Sequence, residues 1–232
     1  MIDCHLHLSC APDPHDFIQE HGREVEAFVT AACSREDIPR CLELLGCGGV
    51  YAFIGTHPLY AGGFDAQMAE RQLCTPGVLG IGECGLDRRG VLEEQLPLLR
   101  AQLSLACDLG VPVCIHLVGC HGEFWETARA FRGRLHGFIH DFSGSYELYR
   151  RYAQLGLKIS LSARVLRRGR RCTEAVARAA LSDLLVESDY DGRQSYSAAQ
   201  LQQVARWVSQ VRGCDCHAAL QQNAQRLLRG EW

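Results

Sequence analysis

Ile2-Asp3-Cys4-His5-Leu6-His7-Leu8 opens the chain as a short apolar run carrying two histidines one residue apart. In an extended strand, side chains alternate between faces, so His5 and His7 point the same way. Two imidazoles aimed at one point make half of a metal site. An isolated pair of this kind is commonly structural, so the reading depends on what recurs downstream. Four more potential ligands stand in similar settings, each at the downstream end of a short apolar run: Glu83, His116, His140 and Asp189.

The recurring unit is a β-branched or apolar run, a polar tip, then a helical pattern. Strands are expected at Ile2–Leu8, Ala27–Ala31, Val50–Thr56, Val78–Glu83, Pro112–His116, Leu135–His140, Leu157–Leu161 and Leu184–Ser188. Helical spacing marks Leu92–Leu109 and Ser145–Leu155, with Gly110 and Gly156 placed to stop them. Two more helices are expected at Ser197–Val211 and His217–Leu228. Strands that alternate with helices run parallel, because each crossover needs a helix. Eight such units predict an α/β fold, a (β/α)8 TIM barrel. An open doubly wound sheet is the alternative, but the G-x-G-x-x-G turn that would support it is missing. A barrel carries its chemistry at the C-terminal ends of its strands, which is where the six candidate ligands fall.

The chain has 232 residues, 47% hydrophobic and 22% charged, which suits one sizeable domain with a full core over residues 1–232. Its apolar stretches break well before the ~18 residues that a membrane span needs. An acid and two histidines within the first seven residues do not fit the basic-then-apolar plan of a signal peptide. A cytoplasmic protein without membrane association is expected.

Thirteen cysteines are an odd count in a long chain, which argues against a secreted disulfide framework. Cys84, Cys107 and Cys114 lie in apolar runs, where a thiol acts as a small hydrophobe. Cys214-Asp215-Cys216-His217 lacks a second cysteine pair at finger spacing, and a structural role is expected for it. The formal net charge of -3 offers no global attraction for nucleic acid. Lys158 is the only lysine, so the positive charge is nearly all arginine, dense at Arg164, Arg167, Arg168, Arg170 and Arg171. That cluster reads equally as a phosphate-binding surface or a solvated helix start.

Four histidines and two carboxylates make a mixed nitrogen and oxygen set, better suited to zinc, manganese, iron or nickel than to calcium. Six ligands exceed the three or four expected around one zinc, so two ions sharing a bridging group are expected. Glu83 is the expected bridge, with His5, His7 and Asp189 on one ion and His116 and His140 on the other. Such a pair clamps a displacement at phosphorus, with Asp189 orienting the attacking water and taking its proton.

Seven stretches then resemble one family in order from end to end. They are Ile2-Asp3-Cys4-His5-Leu6-His7, Gly55-Thr56-His57-Pro58, Gly80-Ile81-Gly82-Glu83-Cys84-Gly85-Leu86-Asp87, Pro112-Val113-Cys114-Ile115-His116, His140-Asp141-Phe142-Ser143-Gly144-Ser145, Leu185-Val186-Glu187-Ser188-Asp189 and Asn223-Ala224-Gln225-Arg226-Leu227-Leu228. The chain resembles the TatD-like metal-dependent deoxyribonucleases of the amidohydrolase superfamily. The resemblance implies a TIM barrel with two divalent metal ions (zinc, manganese, magnesium, nickel or iron) and phosphodiester hydrolysis, often on single-stranded DNA. It assigns the metal to His5, His7, Glu83, His116, His140 and Asp189, and the catalytic roles to Asp189 and Glu83. His57 matches the family's G-x-H-P histidine and is expected at the substrate phosphate or orienting a ligand. Asp87 is expected to brace a loop.

Departures cluster at the rim. Ser9 stands where the family often has an acid, Val118 where it often has a basic residue, and Tyr190-Asp191-Gly192-Arg193 where it tends to a small residue and proline. Rim loops choose substrates while strand ends run the chemistry. Arg88, Arg89, Arg164 and Arg193 are available for phosphate, with Tyr60 and Tyr190 available to stack on bases. Two rival readings follow: a hydrolase of a small ester, lactone or phosphoester, and a partner-binding protein with a structural metal.

Overall fold

Eight parallel strands pair in chain order, each with the next: β1 (Ile2–Leu6), β2 (Ala27–Ala31), β3 (Val50–Ile54), β4 (Val78–Asp87), β5 (Val113–Val118), β6 (Gly137–Ile139), β7 (Leu157–Leu161) and β8 (Leu184–Val186). The computed structural model describes residues 1–60, 63–168 and 170–232; the side chains of Arg168 and Arg170 lie outside the described set. The last strand meets the first. Ser188 N–H donates to Asp3 Oδ1 (2.9 Å), Asp189 N–H to the His5 carbonyl (3.1 Å) and His7 N–H to the Tyr190 carbonyl (2.8 Å). The architecture is the expected (β/α)8 barrel.

The helices between strands are α1 (Pro14–His21), α2 (Asp37–Glu43), α3 (Ala66–Leu73), α4 (Leu92–Leu109), α5 (His121–Ala128), α6 (Tyr146–Ala153), α7 (Val165–Arg168), α8 (Arg170–Arg178) and α9 (Ala198–Arg212), with α10 (His217–Leu228) closing the chain. Local chemistry sets their ends. The Asp13 carboxylate accepts from the His15 and Asp16 amides ahead of Pro14, capping the start of α1. Gly110 stops α4 in the left-handed conformation at φ 65°, which glycine adopts without steric cost. Asn223 of α10 donates to the Leu181 and Leu184 carbonyls and so ties the last helix to β8.

The expected bounds of β2, β7, α4 and α10 match the structure, while β4 runs four residues further than its apolar signal. After a register shift between Ile81 and Cys84, the segment from Cys84 to Asp87 pairs with Ile115 to Val118. Gly85 and Asp87, alternating with Cys84 and Leu86, hide this extension from a reading by hydrophobicity. Gly85 is needed there, because a Cβ would run into the His116 carbonyl oxygen. Conversely, β6 and β8 end before their polar tips, although His140 N–H still donates to the Ile115 carbonyl (3.0 Å) and Asp189 N–H to the His5 carbonyl (3.1 Å).

Inside the barrel, Phe53 of β3 meets Phe138 of β6 edge to face at 5.6 Å, both fully buried. Cys114 of β5 belongs to the same buried cluster. Side chains two apart on a strand share a face. The residues above Cys114 and Phe138 on that face are therefore His116 and His140, so an apolar floor lies beneath a polar mouth.

Candidate metal centre

Glu83 is the hub of the mouth. Its Oε2 lies 3.1 Å from His7 Nε2 and 3.6 Å from His5 Nε2, while its Oε1 lies 2.7 Å from His116 Nδ1 and 2.8 Å from His140 Nε2. One carboxylate thus divides its two oxygens between two histidine pairs contributed by opposite sides of the barrel. Asp189 Oδ1 sits 3.8 Å from His5 Nε2 and 3.9 Å from His140 Nδ1. All six expected ligands are brought together, and all are buried.

The second nitrogen of each candidate ligand histidine faces a group other than Glu83. His7 Nδ1 donates to the Ala31 carbonyl (3.0 Å), and His116 Nε2 faces Asp87 Oδ2 at 3.0 Å. His140 Nδ1 lies 3.5 Å from Glu187 Oε1, and His5 Nδ1 lies 3.3 Å from Cys114 Sγ. Protons held on these outer nitrogens leave lone pairs on the inner ones. The inner nitrogens of His116 and His140 are 3.0 Å apart, and those of His5 and His7 face the same Glu83 oxygen. Converging lone pairs and a carboxylate, with His5 Nε2 and Glu83 Oε2 buried and lacking hydrogen-bond partners, fit a cation. Three triads have ligand atoms within 4.8 Å of one another: His5, His140 and Asp189; His5, His7 and Glu83; and His57, Glu83 and His116.

His57 stands apart within that last triad. Its Nδ1 accepts the Leu59 amide at 3.1 Å, and burial pulls the imidazole down to about 4. The ring is therefore neutral at pH 7 with its proton on Nε2, 3.8 Å from Glu83 Oε1. It presents a hydrogen-bond donor to the site, where a ligand would present a lone pair.

Charges shape the rest. Burial pushes Glu83 up, but His140, His116 and His7 outweigh it and hold the carboxyl well below the usual range. Burial raises Asp189 and Glu187. Asp189 (φ 52°) and Asp141 (φ 46°) are the two non-glycine residues with left-handed backbone among the described residues. Both grip one cation: the Arg164 guanidinium lies 2.8 Å from Asp189 Oδ2 and also pairs with Asp141. Aspartate tolerates this conformation better than most side chains, and such positions concentrate at functional sites.

The other expected contacts divide. Arg88 reaches the Gly119 carbonyl and Glu123 on the rim. Arg89 clamps Asp87, the carboxylate behind His116, so Asp87 supports a candidate ligand as well as its own loop. Arg193 sits beside Asp191. Tyr190, available by residue type for stacking, is buried against Phe17 at 4.9 Å, and its carbonyl holds β1 at the barrel seam. Arg164, Arg167 and Arg171 are exposed; Arg168 and Arg170 of that cluster have side chains outside the described residues. Cys214 and Cys216 pair sulfur to sulfur at 3.8 Å between α9 and α10. Glu187 and Asp141 were not singled out as site residues by sequence reasoning, and Cys114 was expected only as a small hydrophobe. A charged residue inside the apolar Leu184–Ser188 run was the available signal for Glu187.

A profile of the family described as TatD related DNase matches residues 2–229. The chain belongs to the TatD-related DNase family. Among its relatives is the uncharacterized metal-dependent hydrolase YjjV of Escherichia coli K12, 29% identical over 202 residues, covering 81% of this chain and 78% of that protein. The crystal structure of the same TatD homologue superposes with a TM-score of 0.85 at 27% identity, covering 98% of this chain and 97% of that one. The 3'-5' ssDNA/RNA exonuclease TatD of Pantoea vagans is 32% identical over 151 residues, which span 61% of this chain and 58% of that protein. Like the TatD-family proteins it resembles, the chain is a metal-dependent hydrolase. No helix among the described residues is long and apolar enough to cross a membrane.

Proposed function

We propose that this TatD-family protein is a two-metal phosphodiesterase acting on DNA, with single strands as its substrate. The division of Glu83 between the two histidine pairs carries the reading. Glu83 would bridge two divalent cations, one held also by His5, His7 and Asp189, the other by His116 and His140. Nitrogen and oxygen donors of this kind suit zinc, manganese, iron or nickel, with magnesium also possible in the family. Bound there, the cations would supply positive charge to a phosphodiester and lower the pKa of a nearby water.

The chain's own groups do the rest. Burial raises the basicity of Asp189, which suits it to take a proton from the attacking water. Arg164 holds that carboxylate from the open side and has unused guanidinium donors for the substrate phosphate. His57 offers its Nε2 proton to a phosphate oxygen, and Arg88 adds charge on the rim. The floor of Phe53 and Phe138 closes the far side of the centre. Thirteen free thiols suit a reducing compartment, the cytoplasm in this reading.

The test is a panel of end-labelled single strands, a duplex and a small phosphodiester, offered to protein loaded with manganese, magnesium or zinc. Shortening of single strands is expected, lost on chelation and reduced about 10²–10⁴-fold in Asp189→Asn, as for loss of a general base. Turnover of a lactone or carboxylic ester with every strand untouched would replace this reading by the small-ester alternative.

A further inference from the structure

Among the described residues, six large apolar side chains are exposed: Leu59, Tyr60, Val91, Leu109, Val118 and Leu166. Scattered single residues of this kind are ordinary. These are not scattered. Five of the six stand on segments leaving the C-terminal ends of β3, β4, β5 and β7, around the mouth, and only Leu109 lies at the other end, where α4 stops.

Four of them form one arc over three successive strand-to-helix connections. Leu59 covers Gly90 so closely that a Cβ there would lie 2.9 Å from its methyl group, and Val91 is the next residue. Val118 pairs with Asp87, and its carbonyl accepts the Arg88 amide at 3.0 Å. Tyr60, 54% exposed, sets its ring against His57 at 5.8 Å between centroids. His57 in turn faces Glu83, so the arc ends one side chain from the hub of the centre. Arginine is interleaved with it: the side chains of Arg88 and Arg89 are 59% and 65% exposed. Across the mouth, the exposed cation is Arg164 beside Asp189.

We propose that Tyr60, with Leu59, Val91 and Val118 around it, is a shelf for unpaired nucleobases next to the phosphate being cut. This rests on the reading of the mouth as a phosphodiesterase centre. An occupant must offer apolar faces together with anionic charge, because exposed apolar side chains and partly exposed arginines, held by Glu123 and Asp87, share these connections. A single strand does so. A duplex keeps its base faces stacked inside, and a small phosphoester has nothing to lay on the arc. Stacking needs a π-face and no particular base, so the shelf selects strandedness without selecting sequence.

The experiment measures binding of two fluorescently labelled strands of equal length by anisotropy, using metal-loaded Asp189→Asn protein so that the strands are not consumed. One strand is ordinary single-stranded DNA and the other carries the same phosphates with abasic sugars. On this background Tyr60→Ala should weaken the ordinary strand about tenfold, the size expected for one stacked base, and the abasic strand less than twofold. Tyr60→Phe should bind both strands as the parent does. Equal weakening of both strands, no weakening of either, or no binding of the ordinary strand would overturn the shelf. Failure of the catalytic reading looks different: the native protein would cut neither strand while the Tyr60 dependence of binding persisted.

Discussion

Phe138 of β6, at the floor, and His140, just past the end of that strand at the mouth, are one side-chain repeat apart and live under opposite rules. Phe138 packs edge to face on Phe53 and contributes by removal of apolar surface from water. His140 is equally enclosed, yet both of its nitrogens face carboxylates, Glu83 at 2.8 Å and Glu187 at 3.5 Å. β5 repeats the pattern: Cys114 belongs to the floor and touches His5 from below, while His116 lies between Glu83 and Asp87. The floor stabilises the fold through burial. The mouth gathers buried polar groups, with His5 Nε2 and Glu83 Oε2 lacking hydrogen-bond partners, a cost in stability that a bound cation would offset.

This contrast is sharpest at Glu83. Glu83→Gln should lower turnover by 10³-fold or more and cut the metal content of the purified protein, while thermal unfolding of metal-free protein changes little. Elemental analysis beside a melting curve checks it, and a large loss of stability with metal retained would erase the distinction between mouth and floor. Phe138→Ala should do the reverse. A cost of about 3–5 kcal/mol in urea unfolding is expected for an aromatic removed from a core, with the histidine cluster keeping its metal in the folded fraction. The smallest effect belongs to the layer between them. Asp87→Asn leaves the candidate ligands untouched but loosens His116 and should reduce metal affinity or activity about 10–100-fold, read by chelator competition. An unchanged affinity would leave Asp87 with Arg89 and its loop alone.

Much of the fold was legible because strands and helices alternate with clear punctuation. The bounds of β2, β7, α4 and α10 follow from apolar runs and stop signals such as Gly110. The extension of β4 to Asp87 was not legible, because it is held by pairing with β5 and breaks its apolar pattern with Gly85 and Asp87. Of the site, the six candidate ligands stood out as polar tips of apolar runs. The groups behind them did not: Cys114 looked like core, and Asp141 drew no notice until Arg164 was seen to join it to Asp189. Tyr190 shows what residue type alone leaves open. Its residue type suits stacking, yet its backbone bond to His7 and its packing on Phe17 bury it.

What the amino-acid order alone determined was a set of local facts: which runs extend, which segments coil, and which side chains able to bind a cation end each run. Those follow from periodicity and residue chemistry, which act over a few neighbours. Closure of β8 on β1 decided the rest, because Asp189 comes to lie 3.8 Å from His5 only through contacts between distant parts of the chain. The same long-range packing chose which nitrogen of each histidine faces inward, and set His57, whose Nδ1 accepts the Leu59 amide, apart from the four candidate ligands.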